Sequence, residues 1–164
     1  MSHVQCKRAL VSVSDKSNLS VLVPFFQKNN IEVVSSGGTA KALQALGLTV
    51  TPIQEVTGNP EAFGGRMKTL SFQVSSALLF RRGLEADELQ AQELSIIPID
   101  LVICNLYPFK EVLKKGGSLD DLVENIDIGG PTMIRAGAKN FASVCTIVDP
   151  ADYETLVSEA NNGQ

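Results

Sequence analysis

Two short segments combine hydroxyl groups, glycines and a lysine in a pattern typical of an anion site. Residues 12–16 read Ser-Val-Ser-Asp-Lys and follow an apolar, β-rich run, and residues 35–39 read Ser-Ser-Gly-Gly-Thr after a second such run. Each segment precedes an apolar pattern of helical period, so free backbone N–H groups at a helix start would join the hydroxyl donors. Glycines let a backbone approach a phosphate closely, and we expect Thr39 both to cap its helix and to donate to the ligand.

Either segment alone is better explained as an ordinary turn followed by a helix cap. The two together favour a phosphate, because the carboxyl ends of neighbouring parallel strands lie at the same edge of a sheet, where ligands bind.

A glycine-rich stretch over residues 55–70 ends in Gly64-Gly65-Arg66-Met67-Lys68-Thr69. Such a stretch could be a flexible surface turn with solvated cations. Two cations on a mobile loop would also suit a ligand carbonyl or a developing oxyanion.

Three further segments offer polar groups for catalysis. Asn105 and Tyr107 follow an apolar run, and Asp127 precedes a helix that we expect to begin at Pro131 and to carry Arg135 and Lys139 on one face. Lys139 would lie about 12 Å along that helix from Pro131. It reaches Asp127 only if the helix packs across the ligand cleft; alone, it is an ordinary solvated lysine.

Composition excludes several classes of function. The chain has 164 residues, a formal charge of −4 and one histidine, His3. An acidic balance argues against nucleic acid as a partner, and no apolar run approaches the ~20 residues that cross a bilayer. One histidine in a tail excludes Ser-His and Cys-His catalysis and histidine-based metal sites, so we expect no metal and no cofactor. The three scattered cysteines and the absence of a signal-peptide pattern predict reduced, mostly buried thiols in a cytoplasmic protein.

The elements that must position these residues alternate between strands and helices. The predicted strands cover residues 9–13, 31–34, 49–51, 74–80, 101–105 and 144–148. The predicted helices start near residue 18, run over 39–46, 85–93 and 131–140, and follow the capping residues 118–121 and 149–150. This alternation predicts one α/β domain over residues 1–164, in three layers, with a mostly parallel sheet flanked by helices.

Six stretches, in order along the chain, resemble the inosine-monophosphate (IMP) cyclohydrolase domain of the bifunctional enzyme that also carries aminoimidazole-carboxamide ribotide formyltransferase. They are residues 12–16, 36–40, 64–70, 104–109, 127–130 and 135–140. The resemblance implies a methylglyoxal-synthase-like fold and a nucleotide monophosphate substrate, 5-formamidoimidazole-4-carboxamide ribotide. That substrate is closed to IMP with loss of water and without a cofactor.

The resemblance also implies roles for individual residues. The groups that would hold the 5′-phosphate are Ser14, Lys16, Ser36, Gly37 and Thr39. Those that would surround the base are Arg66, Lys68, Thr69, Asn105, Asp127 and Ile128. Further substrate-binding residues would be Ser12, Gly38 and Gly129. For the chemistry we expect Lys68 to face the formyl oxyanion and Asp127 to orient the carboxamide. Lys139 would be the proton donor and acceptor, supported by Tyr107.

The sequence departs from the family in two ways. The formyltransferase domain that follows in the family is absent. A homodimer is a possible assembly. After Leu70 the family usually has His-Pro and then a second histidine, where this chain has Ser71, Phe72 and Ser75.

Two rival functions remain. Methylglyoxal synthase shares the fold but uses a histidine beside carboxylates. A non-catalytic module that binds a nucleotide or ornithine would keep the phosphate segments without needing Lys68, Asp127 and Lys139 together.

Overall fold

A five-stranded sheet forms the centre of the computed structural model, which describes residues 5–161. Its strands are Arg8–Val13 (β1), Glu32–Ser35 (β2), Val50–Pro52 (β3), Leu101–Asn105 (β4) and Cys145–Ile147 (β5). They lie in the order β3-β2-β1-β4-β5, and every pairing is parallel. The predicted parallel sheet is confirmed, and His3 lies outside the described residues.

Helices cover both faces of the sheet, because the central strands are apolar on both sides. Along β1, Ala9 and Val11 face a core with α1 (Leu19–Lys28), α2 (Gly37–Ala45) and α9 (Tyr153–Asn161). Leu10 faces a second core, to which α3 (Ile53–Thr57), α4 (Phe72–Leu79) and α8 (Gly129–Lys139) contribute. The three-layer prediction therefore holds.

Three more helices lie in the connections on either side of β4. They are α5 (Glu85–Glu93), before the strand, and α6 (Phe109–Lys114) and α7 (Leu119–Glu124), after it. The predicted capping box of α7 is present, since Ser118 and Asp121 exchange hydrogen bonds. Of the described residues, no stretch forms a helix with the length and apolar character needed to span a membrane.

The strand predicted over residues 74–80 is wrong, because this segment forms α4. Val74, Ala77 and Leu78 are all buried, and their spacing places them on one face of a helix. A short apolar run of this kind suits a buried strand or a buried helix equally well. Ser71 caps α4 by accepting a hydrogen bond from the Val74 N–H at 3.0 Å.

The predicted start of α8 at Pro131 is also wrong, because the helix begins at Gly129. A Cβ at Gly130 would lie 2.6 Å from Leu106 Cδ2 and 2.7 Å from Asp127 Oδ2, so the helix packs closely against these two side chains at its start. The prediction of mostly buried thiols holds for Cys104 alone; Cys6 is partly exposed and Cys145 is exposed. Burial raises the pKa of the Cys104 thiol to about 12.

The amino edge of the sheet is joined by one buried carboxylate. Asp100 Oδ2 accepts hydrogen bonds from the Lys7 and Arg8 N–H groups at 2.6 and 2.8 Å. Its Oδ1 accepts from Arg82 Nη1 at 2.6 Å, and that guanidinium also donates to the carbonyls of Ile99 and Ser143. This network holds the starts of β1, β4 and β5 together and leaves the opposite edge free for a ligand.

Replacing Asp100 by asparagine should lower the free energy of unfolding by about 3 kcal/mol, because it leaves the Arg82 charge buried without its partner. Chemical denaturation measures the loss. The matched control is Asp87→Asn, which breaks an ion pair with the exposed Arg81 and should cost less. Equal losses in the two variants would contradict the role given to Asp100.

Candidate functional site

The cleft opens at the carboxyl edge of the sheet, where the strand order reverses. β1 lies between β2 and β4. The strands β2 and β3 are added on one side of β1, and the strands β4 and β5 are added on the other side. In open parallel sheets such a reversal leaves a crevice in which ligands bind. Here a cleft of about 640 Å³ lies at the ends of these strands.

The cleft gathers residues that are far apart in sequence. The sequence-predicted site residues that line it are Ser12, Ser14, Lys16, Ser36, Gly38, Thr39, Arg66, Lys68, Thr69, Asn105, Tyr107, Asp127, Ile128 and Gly129. Gly37 is exposed and is not part of this lining, and a Cβ there would be 3.1 Å from Lys68 Nζ. Lys139 is absent from the lining.

One corner of the cleft combines a helix N-terminus with a lysine. In α2 the first intrahelical hydrogen bond runs from Ala40 N to Ser36 O at 3.2 Å, so the N–H groups of residues 37–39 precede it and can donate to a ligand. Lys16 Nζ lies against this helix start, since a Cβ at Gly38 would be 3.8 Å from it. Within residues 5–161 Lys16 forms no ion pair and donates only to the carbonyls of Val13 and Ser14. The corner can therefore hold a phosphate.

The Thr39 side chain does not cap α2, and that expectation is wrong. Ser36 is the N-cap residue, whereas the Thr39 hydroxyl is buried and bonds to β1. It accepts from Val13 N at 3.1 Å and donates to Val13 O at 2.9 Å. Thr39 thus joins α2 to the end of β1, and its backbone N–H is the group left for a ligand.

Asn105 organises the loop that follows β1. Its Oδ1 accepts from the N–H groups of Ser14 and Asp15 at 2.7 and 2.8 Å, and its Nδ2 donates to Asp15 O at 2.9 Å. The amide holds the neighbouring strand end in the conformation that presents Ser14 and Lys16.

The glycine-rich loop pairs each of its two cations with a carboxylate that the sequence patterns did not point to. Lys68 Nζ lies 3.1 Å from Glu61 Oε1. Arg66 forms an exposed ion pair with Glu124 on α7, and this contact holds the pKa of the Glu124 carboxyl below its usual value. Arg66 and Glu124 are 58 positions apart, so no local pattern could have predicted the pair.

Asp127 and Tyr107 complete the part of the cleft beyond these cations. Asp127 Oδ1 accepts from Gly130 N at 2.8 Å, which fixes the carboxylate at the start of α8. Its Oδ2 makes no hydrogen bond to residues 5–161 and is free to accept from a ligand. The Tyr107 side chain is about half exposed in the same cleft.

Lys139 lies at the other end of α8. It is exposed, and it lies ten positions after Gly129 in the helix, a distance of about 15 Å along the axis. Within one copy of the chain, the expectation that α8 brings Lys139 to Asp127 is therefore not met. Arg135 is exposed as well.

The residues that depart from the family pattern begin α4 and lie outside the cleft. Ser71 caps the helix, while Phe72 and Ser75 line a separate groove between α4 and α5. The departure therefore leaves the lining of the cleft intact.

Comparison with known proteins identifies relatives over most of the chain. A family model described as "MGS-like domain" matches residues 18–132. The proteins named "Bifunctional purine biosynthesis protein PurH" from Ruminiclostridium cellulolyticum and Bacillus cereus are each 51% identical to 94% and 96% of this chain, respectively. The chain spans only about 30% of the length of these relatives.

A solved structure supports the same relationship. The structure described as "Crystal structure of ForH" superimposes with a TM-score of 0.80 and 34% sequence identity. The match covers 96% of this chain and 80% of that one.

Replacing Lys16 by alanine should weaken the binding of inorganic phosphate by about 1.5–3 kcal/mol, the contribution of a hydrogen bond to a charged group. Isothermal titration calorimetry measures the change. Lys41→Ala removes an exposed lysine from α2 outside the cleft lining and controls for net charge. If both variants bound phosphate equally well, the corner beside α2 would not be the anion site.

Proposed function

The chain belongs to the family of MGS-like domains, and from that membership we propose that it is an IMP cyclohydrolase acting in purine biosynthesis. It would close the purine ring of 5-formamidoimidazole-4-carboxamide ribotide. The observation that carries the proposal is one cleft that joins a phosphate corner, at Lys16 and the start of α2, to a lysine and a carboxylate, Lys68 and Asp127. The relatives named as purine biosynthesis proteins support the same pathway.

Ring closure needs orientation and charge stabilisation more than a strong base. The carboxamide nitrogen attacks the formyl carbon, and the formyl oxygen gains negative charge in the tetrahedral adduct. The carboxamide nitrogen then gives up one proton. The formamide nitrogen gives up a second as it forms a double bond to the former formyl carbon, and with these two protons the former formyl oxygen leaves as water. Anchoring the 5′-phosphate beside α2 would turn the base toward Asp127 and Tyr107, where the two reacting groups would be held together.

Each remaining polar group suits one part of this sequence. The Lys68 ammonium can stabilise the formyl oxyanion. Asp127 Oδ2 can accept a carboxamide N–H, which orients the nitrogen lone pair toward the formyl carbon. The phenol of Tyr107 can donate a hydrogen bond in the same space and support proton transfer.

The rival functions account for fewer of these features. Methylglyoxal synthase chemistry would need a histidine beside the carboxylates, and among the residues that the structure describes none lines the cleft. A non-catalytic nucleotide-binding module would need the phosphate corner alone. The presence of Lys68 and Asp127 in the same cleft favours an enzyme, and turnover by the purified protein separates the two possibilities.

The greater length of the relatives and the position of Lys139 each suggest a larger assembly. We propose that in the full-length protein this part is joined to a formyltransferase part, in keeping with the relatives' description as bifunctional. Because Lys139 is exposed and outside the cleft of its own copy, its proposed role in proton transfer requires a homodimer that brings it to the cleft of the partner.

Substituting Lys68 by methionine should lower the turnover number about 100-fold, because a donor to the oxyanion is lost while the phosphate corner remains. The ultraviolet absorbance change on ring closure gives the rate, and calorimetry with IMP gives the affinity, which should change little. Lys110→Met alters an exposed lysine of α6 and should keep full turnover. Unmodified protein without turnover would refute the proposed function, and full turnover in Lys68→Met would refute the role of this lysine.

If each cleft takes Lys139 from the partner copy, two inactive variants of this protein should complement each other. Lys139→Ala should lose turnover on its own. When it is mixed in equal amounts with Lys68→Met, about a quarter of all clefts should be complete. Half of the dimers are then mixed, and each mixed dimer has one intact cleft out of two. Full turnover of Lys139→Ala alone would remove Lys139 from the mechanism, which would then rest on Lys68, Asp127 and Tyr107.

A further inference from the structure

The Lys68 ammonium lies in a slot between two backbone segments without side chains. A Cβ at Gly37 would be 3.1 Å from Lys68 Nζ, and a Cβ at Gly65 would be 3.9 Å from it. Both glycines have positive φ angles, 53° and 93°, which residues with side chains rarely adopt. The ammonium therefore bridges the glycine-rich loop and the start of α2.

Glu61 is the acidic residue that enters this slot. Its Oε1 lies 3.1 Å from Lys68 Nζ, and a Cβ at Gly65 would be 2.9 Å from the same oxygen. The side chains of Lys68 and Glu61 are only 24% and 35% exposed. The other two carboxylates of the cleft form no ion pair with Lys68, since Glu124 pairs with Arg66 and Asp127 Oδ1 accepts from Gly130 N.

The start of α2 is an unfavourable neighbour for an ammonium. A helix N-terminus carries a partial positive charge, and the cation of Lys16 lies against the same turn. Glu61 supplies the negative charge that offsets this repulsion. A phosphate bound at the α2 corner would offer Lys68 a second, more strongly charged partner within reach.

We propose that Glu61 is a positioning residue that fixes the Lys68 ammonium in the slot between Gly37 and Gly65 and prevents it from moving onto the phosphate. With Glu61 in place, Lys68 stays available to the reacting part of the substrate. Without it, Lys68 becomes an additional phosphate ligand. The catalytic meaning of this arrangement rests on the proposed cyclohydrolase function, whereas its effect on phosphate binding does not.

Opposite effects on binding and turnover distinguish this role from a purely structural one. In Glu61→Gln, the affinity for inorganic phosphate should rise by about threefold, because the released Lys68 joins the phosphate. The turnover number for ring closure should fall by about 10- to 100-fold, because the same lysine has left the oxyanion. The matched control, Glu55→Gln, removes an exposed carboxylate of α3 outside the cleft lining and should change neither quantity.

A double-mutant cycle tests whether the effect passes through Lys68. Titration calorimetry with inorganic phosphate is carried out on the unmodified protein, Glu61→Gln, Lys68→Met and the double variant. The gain in phosphate affinity should disappear in the Lys68→Met background. A gain of equal size in that background, or no gain in Glu61→Gln beyond that of Glu55→Gln, would overturn the proposal. Failure of the cyclohydrolase function would appear separately, as absent turnover in the unmodified protein.

Discussion

Parallel pairing of β1 with β2 on one side and with β4 on the other is the constraint on which the cleft depends. Every group at the phosphate corner follows the carboxyl end of β1 or β2, and Asn105 ends β4. Antiparallel pairing would have sent these residues to opposite edges. Two side-chain contacts then set the strand ends relative to one another, since Thr39 bonds to Val13 and Asn105 bonds to the loop after it. The Asp100 network performs the corresponding task at the amino edge.

Charge in the cleft is balanced locally. Lys16, Arg66 and Lys68 are the cations of the lining, and Glu61, Glu124 and Asp127 are its carboxylates. Two of the cations are paired with carboxylates, whereas within residues 5–161 Lys16 donates only to the backbone carbonyls of Val13 and Ser14. This asymmetry gives the cations different chemistry, although Lys68 Nζ as well as Lys16 Nζ lies against the start of α2. Lys16 is suited to a strong anion, and the paired cations are suited to a neutral base whose charge changes during reaction.

The sequence was most informative where chemistry is local. The meeting of segments 12–16 and 35–39 in one cleft could be predicted because each follows the end of a neighbouring parallel strand. The fold class followed from the alternation of strands and helices. Residues 74–80 were misassigned because a short apolar run has no decisive period. Glu61 and Glu124 were missed because their partners are chosen by tertiary packing, and the expected approach of Lys139 to Asp127 failed because nothing local determines where the far end of α8 lies.

The orientation of a nucleotide in the cleft is the centre of this account, and a crystal structure of the protein with bound IMP tests it most directly. In that structure the 5′-phosphate should accept hydrogen bonds from the N–H groups of residues 37–39 and from Lys16, and the purine ring should lie beside Lys68 and Asp127. A nucleotide bound in the reverse orientation, with its phosphate at Arg66 and its base at the start of α2, or bound outside the cleft altogether, would contradict this orientation.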